Sequence, residues 1–540
     1  MEHGRAGHGE GERVEYMSAS TSLARTIVRQ IIEAGITDVV ISPGSRNAPL
    51  SLAFNAAAAQ KLITVHIRID ERTAAFFALG LIKSTGRPVP VVCTSGTAVA
   101  NYHPAVLEAN HTNAALLVLT ADRPAMLRRT GANQTTEQAR IFGKAVRYFA
   151  DVDGPVFPME LPLDSLRFGP VHLNLQFDEP LLPDSSKQWL DEIKSAPITF
   201  KARTKTAVLK IQASRGVLVI GHDRGGLSVE AVTKFAKKLN WPIIAEDPLS
   251  FPDAIAHASI LLTSPAVRSV LAPQAAIVFG RTTLSRSVNA LIGLAPVTYV
   301  IDPRIATVDS DRAADKRFTQ IPSLDCVMAS DDWNSQWKKY SQRCARLITE
   351  VDGWNEASIA KEIAAGIPDG AALFVSSSRP IRDLEGFATP RSGVTTYANR
   401  GLAGIDGNIS TALGIASGHT QTFAVLGDLA FLHDITGLIT QEDINCKFIV
   451  INNDGGGIFS TLPQRGAEGF ERVFGTPHGL DPAAIASSFG IPASTISSIA
   501  QLKRELSAPV KGISVVVAKV QSREANADNL KSIYEKMNSI

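Results

Sequence analysis

Two short polar stretches in the C-terminal third have the residue types and spacing of a cation site. Gly427-Asp428 follows an apolar run, Phe423–Leu426. Asn453 comes 25 positions after Asp428, just behind a second run, Phe448–Ile451, with Gly455 two positions further on. Adjacent strand ends can thus present a carboxylate, an amide oxygen and a backbone carbonyl to one hard cation such as Mg²⁺. The glycines let the backbone come close to a diphosphate. Either piece alone is as readily a helix-starting acid or a turn; together, behind two strands, they are far more specific.

Glu71 holds a comparable place near the N-terminus. It follows the run Leu62–Ile69 and opens an apolar helix over Thr73–Leu81 that includes Phe76 and Phe77. An acid in a first helical turn is commonly there for the helix dipole alone, so its meaning depends on what accompanies it. Arg46, Arg123, Arg382 and Arg400 all fall at expected strand or loop ends. The planar guanidinium suits bidentate binding of carboxylates, although any one of them is equally well a surface charge.

Such residues act together only if a scaffold gathers their strand ends. Short apolar runs alternate with helical patterns through most of the 540 residues, the rhythm of parallel sheets covered on both faces. Ser18–Ala34 reads as a helix stopped by Gly35. A first series of strands is expected at Asp38–Ile41, Leu62–Ile69, Val89–Cys93 and Ala115–Leu119. A second is expected at Val217–Ile220, Ile243–Ala245, Ala276–Phe279 and Val297–Ile301. A third is expected at Ala372–Val375, Thr395–Tyr397, Phe423–Leu426, Phe448–Ile451 and Ile513–Val517, with a helical run at Leu432–Glu442. Pro180–Lys187 closes the first series, and the charged, helical Ala329–Trp354 bridges to the third. The expected organisation is an unfolded extension over residues 1–17 and three doubly wound α/β domains at 18–185, 200–335 and 355–540, with no repeat at a fixed period. In open sheets of this kind, ligands bind beyond the carboxyl ends of the strands.

Composition narrows the classes. Hydrophobic residues are 45% and charged residues 20%, enough for large cores. A net charge of +2 offers no overall attraction to nucleic acid or membrane, so any basic site is local. Cys93, Cys326, Cys344 and Cys446 lie far apart without metal-like pairing, which fits a reducing, cytoplasmic setting. The Gly-, His- and Glu-rich start is not a signal peptide, and no apolar run approaches the ~20 residues of a membrane span. No Gly-x-Gly-x-x-Gly opens a helix after a strand, which weighs against a nicotinamide cofactor.

Gly427-Asp428 with Asn453 resembles the thiamine diphosphate-binding motif, Leu429 standing where a third glycine is usual. Glu71 early and Asp428/Asn453 late is the domain order of the pyruvate decarboxylase-like enzymes. Further stretches cover nearly the whole chain: Ser42-Pro43-Gly44-Ser45-Arg46, Thr94-Ser95-Gly96-Thr97, Thr120-Ala121-Asp122-Arg123-Pro124, Gly131-Ala132-Asn133-Gln134, Asn399-Arg400-Gly401 and Ile458-Phe459-Ser460-Thr461-Leu462-Pro463. They resemble the 2-succinyl-5-enolpyruvyl-6-hydroxy-3-cyclohexene-1-carboxylate synthase family of menaquinone biosynthesis, in which a Gly-Asp-Leu motif is normal.

The resemblance implies thiamine diphosphate with Mg²⁺ or Mn²⁺, the metal held by Asp428, Asn453 and Gly455. It implies cofactor contacts from Gly427, Leu429, Ile405 and Ile458, and Glu71 as the catalytic acid against the aminopyrimidine N1′. The implied substrates are 2-oxoglutarate and isochorismate, contacted by Ser45, Arg46, Arg123, Gln134, Arg286, Ser378, Arg382, Arg400, Phe459 and Leu462. It also implies a homo-oligomer whose active sites are shared between chains. The alternatives are another thiamine diphosphate-dependent 2-oxo acid decarboxylase or lyase, such as an acetohydroxyacid synthase that would also bind FAD, and an inactive scaffold homologue. Glu71, Asp428 and Asn453 occurring together argue against the last.

Overall fold

The computed structural model describes residues 18–154, 160–183, 188–198, 207–304 and 314–539; the expected extension at 1–17 lies outside them. The first sheet has six parallel strands: β1 (Asp38–Ile41), β2 (Thr64–Ile67), β3 (Val89–Cys93), β4 (Leu116–Asp122), β5 (Tyr148–Asp153) and β6 (Val171–Gln176), in the order β2-β1-β3-β4-β6-β5. β5 and β6 go beyond the expected strands. β6 alternates apolar and polar residues yet is wholly buried. Its His172 Nε2 and Asn174 Oδ1 are both hydrogen-bonded to the Thr120 hydroxyl, at 2.8 and 2.9 Å, while His172 Nδ1 is buried without a partner.

The middle part contains β7 (Val208–Ile211), β8 (Gly216–Ile220), β9 (Ile243–Ala245), β10 (Ala275–Phe279), β11 (Thr298–Ile301), β12 (Lys316–Phe318) and β13 (Ser323–Cys326). β12-β11-β10-β8-β9 form a parallel sheet and β13-β7 a separate pair. The bridging helix, Asp331–Thr349, buries Trp333 and Trp337 in the middle core. The last helix, Arg523–Asn538, returns to the same core with Leu530, Ile533 and Met537.

The third sheet comprises β14 (Ala372–Val375), β15 (Thr395–Tyr397), β16 (Thr422–Gly427), β17 (Cys446–Asn452), β18 (Ala493–Ile496) and β19 (Ile513–Lys519). Its order, β15-β14-β16-β17-β19-β18, repeats that of the first sheet strand for strand. A structural repeat is therefore present where no sequence repeat is visible. The helix before the third strand of each sheet, Glu71–Thr85 in one and Asn408–Ala416 in the other, packs on its counterpart, and both contribute to one continuous core. His66 on β2 ties the same two units: its Nδ1 lies 2.8 Å from Glu442 Oε2 and its Nε2 lies 3.0 Å from Asp38 Oδ1.

The helical run expected over Leu432–Glu442 is a correction. An α-helix spans Asp428–His433, and a 3-10 turn follows at Ile435–Leu438. Between them Asp434, at φ −114°, turns its buried carboxylate to accept Ser410 N at 2.7 Å, which breaks the helix. Among the described residues no helix is long and apolar enough to cross a membrane, and all four cysteines are unpaired.

Candidate active site

β16 and β17 pair in register, Gly427 opposite Ile451, so the turns beyond them bring Asp428 and Asn453 to one place. Asp428 is only 2% exposed. Leu429 N donates to its Oδ1 at 2.7 Å and Gly455 N to its Oδ2 at 2.9 Å, with His478 Nε2 at 3.3 Å from Oδ2. Burial raises the Asp428 pKa, and the bonds from Gly455, Leu429 and His478 oppose that rise. A bound cation would hold the carboxylate ionised.

Asn453 Nδ2 donates to Glu356 Oε1 at 2.7 Å, while its Oδ1 is buried and has no partner. An orphaned amide oxygen is costly unless something positive meets it. Gly455 has φ +132°, and a Cβ there would stand 2.1 Å from Gly475 O, so this turn requires glycine. A cavity of about 50 Å³ opens between Gly427, Asn453, Glu356 and Arg379. Among the described residues no three His, Cys, Asp or Glu side chains gather into a metal site of their own. One carboxylate, one amide oxygen and backbone carbonyls fit a hard cation completed by phosphate oxygens and water. The residues present therefore fit a metal-bound diphosphate.

A larger cleft of about 330 Å³ adjoins, and Arg379 and Asp383 line both spaces. Arg286, Arg382, Ile458 and Leu462 share its walls. Arg382 Nη1 donates to Ser378 O at 2.6 Å, and neither Arg382 nor Arg286 has a carboxylate partner among the described residues. Burial, then the neighbouring Arg379 and Arg400, lower the Arg382 pKa. Ser378 holds φ +73° at the start of the helix Arg379–Phe387, a costly conformation for a residue with a Cβ. Arg400 is placed differently. It is 4% exposed, and its Nη2 donates to the buried Glu246 Oε1 at 2.9 Å. Glu246 also accepts His222 N and Leu284 N, at 2.9 and 3.1 Å. Phe459 is half-buried with its ring 5.6 Å from that of Phe474. Ile405, 42% exposed, sits in the turn before the helix Asn408–Ala416.

A second group forms at the ends of β1, β3 and β4. Arg123 Nη1 donates to Ser95 Oγ at 2.6 Å and to Gln134 O at 2.7 Å. Gln134, at φ +53°, returns its Nε2 to Ser95 O at 3.0 Å. Arg46 Nη1 donates to Phe177 O at 2.9 Å and lies 3.5 Å from Glu179 Oε1; Ser45 beside it is exposed. Burial, followed by the nearby Arg46 charge, lowers the Arg123 pKa. Two guanidiniums close enough to repel each other suit an anion.

Glu71 is half-buried at the start of its helix, capped by Asp70, whose Oδ1 accepts Arg72 N at 2.9 Å. Its neighbours lean on the third unit: Thr436 Oγ1 donates to Asp70 Oδ2 at 2.6 Å, and Arg72 Nη2 to His433 O at 2.7 Å. Among the described residues no hydrogen bond or ion pair joins Glu71 to Asp428 or Asn453. Glu356, Arg379, Glu246 and His478 belong to the site without having stood out in the sequence. Of these only Arg379 carried a signal, lying one helical turn before Arg382.

Comparison with known proteins agrees with this geometry. Residues 21–141 match the N-terminal TPP binding domain of thiamine pyrophosphate enzymes, 183–375 their middle domain, and 383–518 their C-terminal TPP binding domain. The chain is 38% identical to the 2-succinyl-5-enolpyruvyl-6-hydroxy-3-cyclohexene-1-carboxylate synthase of Thermobifida fusca (strain YX), over 91% of this chain and 94% of that one. It is 38% identical to the enzyme of the same name from Nocardioides sp. (strain ATCC BAA-499 / JS614), over 97% and 98%. With that from Lysinibacillus sphaericus (strain C3-41) the identity is 33%, over 96% and 98%. The cation-fitting turn pair, the arginine-lined cleft and this end-to-end similarity lead to one conclusion: the chain belongs to the thiamine pyrophosphate enzymes, in the 2-succinyl-5-enolpyruvyl-6-hydroxy-3-cyclohexene-1-carboxylate synthase family.

Proposed function

We propose that this chain decarboxylates 2-oxoglutarate and adds the remaining four-carbon unit to isochorismate, a step of menaquinone biosynthesis that gives 2-succinyl-5-enolpyruvyl-6-hydroxy-3-cyclohexene-1-carboxylate. The observation that carries the reading is that Arg379 and Asp383 line both the arginine-lined cleft and a smaller, largely apolar cavity that reaches Gly427 and Asn453 at the cation-fitting turns. A cofactor held at those turns would face carboxylate-bearing substrates in the cleft.

Bound thiamine diphosphate would supply the thiazolium ring that takes up the electron pair left behind when CO₂ departs. Asp428, Asn453 Oδ1 and the Gly455 carbonyl would hold Mg²⁺ or Mn²⁺ and, through it, the diphosphate, with Gly427 and Leu429 giving the backbone room. Glu71 would bind N1′ of the aminopyrimidine and hold or release a proton at that atom. Ile405 would support the cofactor's bent form, while Ile458, Phe459 and Leu462 exclude water. Arg286, Ser378, Arg382 and Arg400 would orient one substrate, and Ser45, Arg46, Arg123 and Gln134 the other. Glu71 shares no hydrogen bond or ion pair with Asp428 or Asn453 among the described residues, which accords with a homo-oligomer in which each active site draws on two chains. A cytoplasmic location accords with small charged substrates and unpaired cysteines.

The test is direct. Purified protein with thiamine diphosphate and Mg²⁺ should consume isochorismate only when 2-oxoglutarate is present, releasing one CO₂ for each isochorismate lost. Consumption of 2-oxoglutarate that ignores isochorismate would point instead to a simple decarboxylase.

A further inference from the structure

Glu385 lines the same cleft as Arg286 and Arg382, two residues beyond Asp383 on the helix Arg379–Phe387. It is 4% exposed, and its Oε1 is shut off from solvent with no hydrogen-bond partner. The Thr283 hydroxyl, the Glu246 carboxylate and the guanidiniums of Arg400 and Arg382 surround it. Glu246 is already committed to Arg400 at 2.9 Å. Glu385 and Arg382 both line the cleft, Glu385 with its unpartnered oxygen closed off from solvent and Arg382 without a carboxylate partner among the described residues.

An ionised Glu385 would offset the Arg382 charge and leave Arg286 as the cleft arginine without an acidic neighbour, weakening the hold on a second carboxylate. A protonated Glu385 leaves the arginine charge free and adds an O–H donor beside it. Burial, then the adjacent Glu246 charge, push the Glu385 carboxyl well above its usual range.

We infer that Glu385 acts as a neutral carboxylic acid that, together with Arg382, binds the carboxylate which the 2-oxo acid substrate retains. This rests on the function proposed above and adds a specificity-determining residue to it. Chemistry selects the retained carboxylate. The one that leaves as CO₂ must shed its negative charge, so binding it tightly by an arginine and an acid would oppose its loss. The retained carboxylate carries its charge through the whole reaction and is the natural partner of a permanent clamp. The O–H of Glu385 would donate to one of its oxygens while Arg382 donates to the other, with no change in covalent bonding.

The test uses the enzyme loaded with thiamine diphosphate and Mg²⁺, and calorimetric titration with glutarate, a dicarboxylate that cannot react, against butyrate, which lacks the second carboxylate. Glu385→Gln keeps a neutral donor and should bind glutarate within about two-fold of wild type. Glu385→Leu removes the donor and should weaken glutarate roughly ten- to hundred-fold, the range for a hydrogen bond to a charged group, while leaving butyrate unchanged. In turnover, Glu385→Leu should raise KM for 2-oxoglutarate far more than it lowers kcat. If Glu385→Gln proves as poor as Glu385→Leu, the negative charge is what matters and the inference is overturned. Wild-type glutarate affinity in a folded Glu385→Leu overturns it too. Should Glu385→Leu fail to fold, Glu385→Gln alone still decides, since it must match wild type. Failure of the underlying function looks different: the wild-type enzyme would then neither bind glutarate nor consume 2-oxoglutarate.

Discussion

Gly80 and Gly414 each occupy the space that a side chain on the other would need. A Cβ on Gly80 would stand 2.2 Å from Thr411 O and 2.8 Å from Gly414 Cα. One on Gly414 would stand 2.1 Å from Phe77 O and 2.9 Å from Gly80 Cα. The helices Glu71–Thr85 and Asn408–Ala416 therefore meet backbone to backbone. They hold corresponding places in two sheets of identical strand order, so the contact joins matching helices of the first and third units.

This contact should be intolerant of added volume. The obstructing atoms are backbone, which cannot swing aside as a flexible side chain would. Gly414→Ala is expected to cost at least about 1–3 kcal/mol, the range for overpacking a close-packed core. Thermal unfolding of Gly80→Ala, Gly414→Ala and the double variant should show the second substitution costing less than the first, because the helices have already been pried apart. An unchanged melting temperature in both single variants would mean that the helices do not meet this closely.

His66 should make the union of the two units pH-dependent. Burial opposes its charge, but the hydrogen bonds it donates to the Asp38 and Glu442 carboxylates outweigh that and hold its pKa at about 9. Arg68 approaches from just beyond the end of β2, its guanidinium 4.0 Å from the Phe77 ring, and Arg87 lies near Asp38. In the unfolded chain a histidine loses its proton near 6.5. Between those values the folded state binds the extra proton, so the stabilisation is complete below about 6.5 and is lost as pH rises through about 9. A shift of this size is worth on the order of 3 kcal/mol. Denaturant unfolding of wild type and His66→Gln at pH 6 and pH 9.5 should show a gap that narrows at the higher pH; a constant gap would discard the role.

Much of this architecture could be read from the amino-acid sequence, for a physical reason. Central parallel strands such as β3, β4, β10 and β17 are buried on both faces and contain apolar runs. Strands that escape that pattern are edge strands, such as β12 and β18, or strands whose buried polar residues bond to a neighbouring strand, such as β6 with His172 and Asn174. The repeat of strand order stays hidden because topology depends on where strands pair and not on which residues build them. Asp428, Asn453 and Gly455 were legible because their spacing follows from adjacent strand ends. Glu356, Glu246 and Glu385 were not, because each gains its meaning from a partner distant in sequence: Asn453, Arg400 and the cleft, respectively.

The cation-fitting turns give a binding prediction that needs no turnover. Asp428→Ala should abolish Mg²⁺-dependent thiamine diphosphate binding in calorimetry, since an uncompensated diphosphate is poorly held. The same substitution removes a buried carboxyl that accepts Leu429 N and Gly455 N, so circular dichroism should accompany it to show that the fold survives. Unchanged cofactor affinity in the folded variant would show that the metal lies elsewhere.

Arg382 and Arg400 should fail in different ways. Arg382 has no carboxylate partner among the described residues, so Arg382→Ala should raise the KM for 2-oxoglutarate by roughly ten-fold or more with little loss of stability. Arg400 neutralises Glu246, which is 1% exposed, so Arg400→Ala strands a buried charge at a cost of about 3–5 kcal/mol. Arg400→Ala should therefore lower the melting temperature clearly, and Arg400→Ala/Glu246→Gln should recover part of that loss without recovering full activity. Equal stability and equal kinetics in the two single variants would remove the distinction.

Glu71 and Asp428 provide the test of whether one active site draws on two chains. Glu71→Gln keeps the side chain's shape but not its acid, so cofactor should still bind while turnover falls at least ~100-fold. Asp428→Ala should be inactive because it loses the cofactor. If each site pairs Glu71 of one chain with Asp428 of the other, a mixed dimer of the two variants gathers both lesions in one site and leaves the second site intact. Random assembly makes about half the dimers mixed, each with one working site, so co-expression should restore roughly a quarter of wild-type activity. Two affinity tags would establish that mixed dimers form. Mixed dimers with no recovered activity would place Glu71 and Asp428 in the same site of the same chain. The contacts of Asp70 and Arg72 with the third unit of their own chain would then be the start of that site, and not only packing between two domains.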